Sequence, residues 1–227
     1  MSNPMIKTIP KRKTREDILE LSVALFAKCG YDGVSMRDVA AAVGLTPAAL
    51  YYHFPDKEHL YLDVVAHEFG EKAAALKGML GGPGSPWAQI EEFVAGLARL
   101  LATDKDFLRL MQWVLLDSDE VRQHKLAEHV FKDLFAAVHD LAAKLDSRHD
   151  AHLLAISIIA LVFFPFQAGT TRRFMPGHRS RQDEPAVLAR HVIELLCTGL
   201  RQAGKHGQGA IPPASPAKRT DRRTPNS

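Results

Sequence analysis

Between Ser35 and Lys57 the run SMRDVAAAVGLTPAALYYHFPDK sets hydroxyl, carboxylate, aromatic and basic side chains at spacings suited to helix capping and surface contact. Ser35 can accept from the backbone of Asp38, whose carboxylate reaches back, and this reciprocal pairing starts a helix. Val39, Ala40 and Val43 give that helix a buried side, and Gly44 ends it in a left-handed turn without a Cβ penalty. Leu45 can plug the corner. Thr46 then caps a second short helix with Pro47 at its first position, where a missing N–H costs nothing and a fixed φ helps. Two short helices joined by a three-residue turn containing glycine form a helix-turn-helix, whose second helix offers its leading residues to the major groove of double-stranded DNA.

Each residue type in the second helix has a use in that groove. Ala48 and Ala49 keep the leading end slim, which permits close approach to base edges and thymine methyls, while Thr46 and the first N–H groups suit phosphate. Tyr51, Tyr52 and His53 can hydrogen-bond phosphates, leaving Leu50 and Phe54 to turn inward. Asp56 caps a further helix. Lys57, in its first turn, opposes the helix-dipole preference, a cost that a DNA phosphate would offset.

These short helices need a frame. Thr14 with Asp17 makes another capping box, and Ile18, Leu21, Leu25 and Phe26 form an apolar stripe that ends near Gly30, so a first helix is expected to support the reading pair. Apolar spacing alternates at three and four residues almost throughout, without sustained period-two alternation, so the chain is expected to be all-α. Its 46% apolar and 24% charged residues are those of a globular protein with a packed core. A length of 227 residues allows a small module fused to a larger one. A formal net charge of +3 does not itself identify a nucleic-acid partner, and the basic residues cluster at the two ends.

Other classes find little support. No paired-carboxylate site, nucleophile motif or glycine-rich phosphate loop is evident, so no enzyme and no cofactor are expected. His124 and His129, or His149 and His152, lack the companions of a metal set, so no metal is expected. Cys29 and Cys197 lie far apart in apolar helical patterns, which fits a reducing cytoplasm. The most apolar run, Leu153 to Phe166, is shorter than the roughly 20 residues of a spanning helix, so no membrane partner is expected.

The run Thr14 to Val65 resembles the DNA-binding domain of the TetR (tetracycline repressor)/AcrR family of transcriptional regulators. The residues that carry the resemblance are Leu25-Phe26, Gly30-Tyr31, Ser35 to Ala40, Gly44 to Pro47, and Leu50 to Phe54 followed by Lys57-Glu58. The resemblance implies DNA-binding positions at Arg37, Thr46, Ala48, Ala49, Tyr51, Tyr52, His53 and Lys57, with Pro47 in the same candidate surface. Ala48 departs from the glycine or polar residue frequent in the family, so the resemblance supplies no base preference. It also implies a larger helical domain that binds a small effector and pairs two subunits through its last helices.

The expected architecture is thus all-α, an N-terminal three-helix helix-turn-helix DNA-binding domain joined to a larger helical ligand-binding and dimerisation domain. Its divisions are a basic flexible arm at 1–13, the helix-turn-helix at 14–57, the helical body at 58–202 and a disordered tail at 203–227. Minor-groove contact by Lys11, Arg12 and Lys13 is one reading of the arm. The helix capped by Asp56 is expected to run on through Phe69 to a loop at Gly81–Pro86, and later helices are expected at Pro86–Ala102, Lys105–Leu116, Glu120–Leu145, Ala151–Phe174 and Pro185–Gln202.

Aromatic and polarizable side chains in the body could line an apolar ligand pocket. The candidates are Phe69, Phe107, Met111, Trp113 and Phe131, then Phe135, His139, Phe163 and Phe166, although aromatics at helical spacing also serve as core. The run from Leu153 to Phe164 is apolar on more sides than one protomer requires. Leu154, Ile158, Leu161 and Val162 are therefore candidates for a homodimer interface, joined by Leu188, Val192, Leu195 and Leu196; a fully buried central helix is the competing explanation. The functional expectation is a dimeric repressor released from a palindromic double-stranded operator by a small apolar effector. The alternatives are a repressor without ligand and a helical adaptor or enzyme.

Overall fold

The computed structural model describes residues 13–202, and among them every regular element is a helix. Lys11, Arg12 and most of the expected arm, like the expected tail at 203–227, lie outside the described residues. Helix α1 spans Arg15–Cys29, α2 Met36–Val43, α3 Pro47–His53 and α4 Lys57–Leu80. After a loop come α5 at Pro86–Thr103, α6 at Lys105–Leu116 and α7 at Glu120–Leu126, which enters a π-helical turn at Ala127–Phe131 and continues as α8 at Lys132–Leu145. Helix α9 spans Ala151–Gln167, α10 Gly169–Arg172 and α11 Pro185–Gln202, with a 3-10 turn at Ser180–Asp183 before the last.

The helix starts follow their caps. Thr14 Oγ1 accepts from the Asp17 N–H at 3.1 Å while Asp17 Oδ2 accepts from the Thr14 N–H at 2.8 Å. Ser35 and Asp38 repeat the exchange at 3.2 and 2.9 Å, and each such cap stabilises its helix by roughly 1 kcal/mol. The Ser35 hydrogen bonds hold the Asp38 carboxyl below its ordinary value. Gly44 closes α2 at φ 72°, ψ 33°, in the left-handed region, and the Leu45 N–H reaches back to the Ala40 carbonyl at 2.8 Å. Thr46 caps α3 by accepting from Ala49 N–H at 3.2 Å, and Asp56 caps α4 by accepting from His59 N–H at 2.9 Å.

The core runs without a break from the three short helices into the body. Helix α4, 24 residues and so about 36 Å long, lies against α1 at one end and against α5 and α8 along its length. Helix α5 sits centrally, with Ile90, Phe93, Val94, Ala98 and Leu101 buried against α4, α9 and α11.

Several expectations change in detail. The buried face of α1 is Ile18, Leu19, Ser22, Val23, Phe26 and Ala27, while Leu21 is 43% exposed and Leu25 half-buried. Ser22 can sit inside because its hydroxyl donates to the Ile18 carbonyl at 2.6 Å. The expected helix Ala151–Phe174 ends at Gln167, two residues after Pro165, whose ring nitrogen has no hydrogen to give the preceding turn. The expected helix Glu120–Leu145 is interrupted by the π turn, where the Lys132 N–H reaches the Ala127 carbonyl five residues back. No proline or glycine in AEHVF marks it beforehand.

The expected interface residues divide by face. Leu154, Ile158 and Val162 on α9, and Leu188, Val192 and Leu196 on α11, are buried in their own protomer against α5 and its neighbours. They cannot also face a second copy. Leu161 and Leu195 are exposed, and with them stand Leu153, Ile156 and Phe164. The buried-helix explanation of the apolar run therefore holds for one side of α9, while its other side is exposed.

At the end of α1, Gly30 takes φ 68° and lies against the indole of Trp113 on α6; a Cβ there would meet the ring at 2.8 Å. Both the backbone region and the contact exclude a side chain. Gly30→Ala is expected to lower stability by about 2 kcal/mol, read as a shift in a urea melting midpoint, because a left-handed alanine and a displaced indole both cost energy.

Candidate nucleic-acid interface

Helix α3 is only seven residues long, so it depends on what its inner side buries. Leu50 is fully buried and Phe54 nearly so, and each contributes about 1.5–3 kcal/mol on leaving water. The opposite side is open. Thr46, Pro47 and Ala48 are exposed, Ala49 is half-buried, and Tyr51 and Tyr52 are exposed. The His53 ring meets Tyr52 edge-on, with centroids 5.4 Å apart, and lies beside Phe54. Arg37 is exposed near the start of α2.

The α3 candidates thus share one helix with its leading end outward, as its capping chemistry requires. Lys57 is placed differently. Its ammonium donates to the Tyr31 carbonyl at 3.1 Å and lies 4.1 Å from the Tyr31 ring centre. The cation at the first turn of α4 is therefore balanced inside the protomer, and the dipole argument for a phosphate there loses its force.

The Tyr31 ring reveals a junction that the sequence reading did not identify. Arg122, on α7, stacks on the same ring with its guanidinium carbon 3.8 Å from the centroid, so two cations share one aromatic side chain. Such contacts contribute from about 0.5 kcal/mol when exposed to 2 kcal/mol or more when dry. Arg122 is buried and chelated by Asp117, with Nη2 to Oδ1 at 2.8 Å and a second bond from Nε, while Asp119 lies 3.5 Å away. Hydrogen bonds from Arg122 hold the Asp117 carboxyl below the usual carboxylate range, against the opposing effect of burial. Tyr61 meets both Phe26 and Tyr31 edge-on at 5.2 Å, and burial pushes its hydroxyl up. That hydroxyl is fully enclosed without a hydrogen-bond partner.

Two more contacts tie this seam. Lys125 on α7 pairs with Glu58 on α4, and the Trp113 indole donates to the Ala27 carbonyl of α1 at 3.2 Å. Nothing in the local sequence pairs Tyr31 with Arg122, because 91 positions separate them and the contact is made only by folding.

The expected pocket residues are not all together. Phe69 stacks on Phe107 with centroids 6.3 Å apart and meets Phe131 edge-on at 4.9 Å, forming one aromatic cluster with α4, α6 and the π turn. Met111 is buried, Phe135 pairs with His152, and Phe163 and Phe166 are partly buried against the core. Trp113 belongs to the α1–α6 seam instead, and His139 lies half-exposed beside Asp140. A cleft of about 290 Å³ opens beside Phe69. Its other walls are Ala66, Gly70, Ala73 and Lys77 on α4, with His129, Val130 and Leu134 opposite. The small α4 residues at three- and four-residue spacing were the available signal for it.

Among the described residues there is no group of three or more side chains placed to hold a metal ion, and no helix is long and apolar enough to cross a membrane.

Residues 18–64 match the family of bacterial regulatory proteins described as the tetR family. The transcriptional repressor Rv1474c of Mycobacterium tuberculosis is 29% identical over 163 residues, which cover 62% of this chain and 87% of that protein. The regulator AcrR of Shigella flexneri is 24% identical over 57% of this chain, and the match spans 60% of AcrR, less than two thirds of its length. FadR of Bacillus subtilis, solved with stearoyl-CoA, shares the fold at a TM-score of 0.69 with 16% identity, over 82% of this chain and 99% of its own.

Asp117→Asn provides a pH test of the seam. A carboxylate with a lowered folded pKa adds stability above its unfolded value of about 3.9 and loses it as pH falls through the folded value. The variant is expected to be less stable than the parent at pH 7, with the difference shrinking below about pH 4 in chemical-denaturation series.

Proposed function

The chain belongs to the TetR family of bacterial regulatory proteins, and from that premise we propose that it is a homodimeric repressor, released from a palindromic operator by a small apolar effector. The reading head is assigned to residues 14–57 and the effector and dimerisation body to 58–202. The observation that carries the proposal is the two-sidedness of α3: Leu50 and Phe54 are sealed inward while Thr46 to Ala48 and both tyrosines stand outward. Such a helix can enter a major groove without unfolding its own support. Arg37, Thr46, Pro47, Ala48, Ala49, Tyr51, Tyr52 and His53 are assigned to the DNA surface, and Lys57 to holding it.

Pairing follows from the limits of one head, since specific grip in this class comes from two heads about one helical turn, or ~34 Å, apart. The exposed apolar side of α9 and α11, with Leu153, Ile156, Leu161, Phe164 and Leu195, supports a two-fold contact there. For the effector, the cleft beside Phe69 supplies an apolar recess near the lower end of the ~300–1,000 Å³ typical of small-molecule sites. The stearoyl-CoA complex of FadR makes an acyl chain a reasonable class to test.

Selection of bound fragments from randomised double-stranded DNA is expected to return an inverted repeat with half-sites one helical turn, or a multiple of it, apart. Recovery of no preferred duplex at moderate ionic strength would sink the proposal. Arg37→Ala is expected to weaken binding to all duplexes alike and to reduce the salt slope by about 0.9, the contribution of one phosphate contact. Phe164→Asp is expected to convert the dimer to monomer in sedimentation at micromolar concentration and to abolish tight operator binding, while the monomer keeps its helical circular dichroism.

A further inference from the structure

The cleft beside Phe69 has an apolar floor and a charged rim. Phe69, Val130 and Leu134 supply the floor, and Ala66, Gly70, Ala73 and Ala74 leave room along α4 because their side chains are short or missing. At the rim stand Lys77, His129 and Asp133. Lys77 Nζ approaches Asp133 at 3.9 Å, the outer limit of an ion pair, and both side chains are more than half exposed. Solvent screens such a pair, so Lys77 is held only weakly. An incoming cation would meet Lys77 and His129 and could turn only to Asp133. An incoming anion takes Lys77 from a loose partner and has His129 as a second donor. The rim therefore favours an apolar body carrying one acidic group.

What lies behind the cleft is the π turn. His129 and Val130 belong to it, and the seven-residue α7 that precedes it ends in the fully buried Leu126. On that short rod, Arg122 grips the Tyr31 ring and Lys125 pairs with Glu58, both beside the reading head. A π turn interrupts the regular ladder and recurs where helices yield at functional sites. One helical segment thus has the cleft wall at one end and the head contacts at the other.

Resting on the effector reading above, we propose that this cleft binds a small aliphatic carboxylate, and that occupancy acts on the head through the π turn and α7. A ligand against Val130 shifts the turn, and α7 carries the shift to the Arg122–Tyr31 and Lys125–Glu58 contacts. For the operator to be released, the ligand must bind the shifted state better than the unshifted one.

The test uses the full chain with octanoate as the probe and octylamine as the charge control. Octanoate is expected to bind saturably by calorimetry and to weaken operator binding by about tenfold, within the usual range of allosteric coupling, whereas octylamine does neither. Ala73→Trp fills the cleft and is expected to weaken octanoate binding by about tenfold or more and to lose the octanoate-driven change in operator affinity. Tyr31→Leu is expected to bind octanoate as the parent does while losing most of the ligand-driven operator release. Lys125→Met, on a half-exposed pair, repeats that measurement should Tyr31→Leu fail to fold.

Octanoate that releases operator equally from the parent and from Ala73→Trp overturns the cleft while leaving the effector reading intact. Failure of octanoate to bind, or binding of octylamine in its place, overturns the ligand class. Full release from both Tyr31→Leu and Lys125→Met overturns the route through α7. A chain with no preferred duplex would instead remove the regulator reading itself, which the operator selection detects independently.

Discussion

A seven-residue helix does not hold its shape alone in water, because the cost of nucleation exceeds what so few hydrogen bonds return. Everything on the outer side of α3 therefore depends on the burial of Leu50 and Phe54 beneath it. The two residues fix both the existence of the helix and its rotation, and the rotation decides which side chains face outward. Capping sharpens the same result: Thr46 and Pro47 set where α3 begins, and Gly44 sets the angle at which the chain reaches it.

The support for that small unit continues into the body. Arg122 would be costly to bury alone, yet Asp117 neutralises it, Asp119 lies close and Tyr31 offers it an aromatic face. Lys57 also approaches the ring of the same tyrosine and donates to its carbonyl. A partly polar seam of this kind transmits displacement differently from an oily one. Its groups have directional preferences, so a small movement of α7 alters defined contacts instead of sliding over a smooth surface.

Much of the local architecture was legible in advance. Capping boxes at Thr14 and Ser35, the left-handed Gly44 and the Thr46-Pro47 start depend on neighbours within four residues, and all appear as read. Helix α6 was likewise readable from its periodicity and the caps around it. Faces were harder. On α9 the apolar pattern is nearly continuous, so periodicity could not say that Leu154, Ile158 and Val162 turn inward while Leu153, Ile156 and Phe164 turn outward. The junction around Tyr31 was not legible at all, since Lys57, Asp117 and Arg122 meet it only in three dimensions. Nor did AEHVF advertise a π turn, for its residues are ordinary helix formers without a proline or glycine.

The contact between Gly30 and Trp113 has an optical corollary. The chain carries two tryptophans, Trp87 in α5 and Trp113 at the seam where the indole N–H is tied to α1. Any rearrangement that parts α1 from α6 must change the hydration of the second indole while leaving the first in its own helix. With Trp87 replaced by phenylalanine, the emission colour of the unlabelled protein becomes a native gauge of how closely its two halves are apposed.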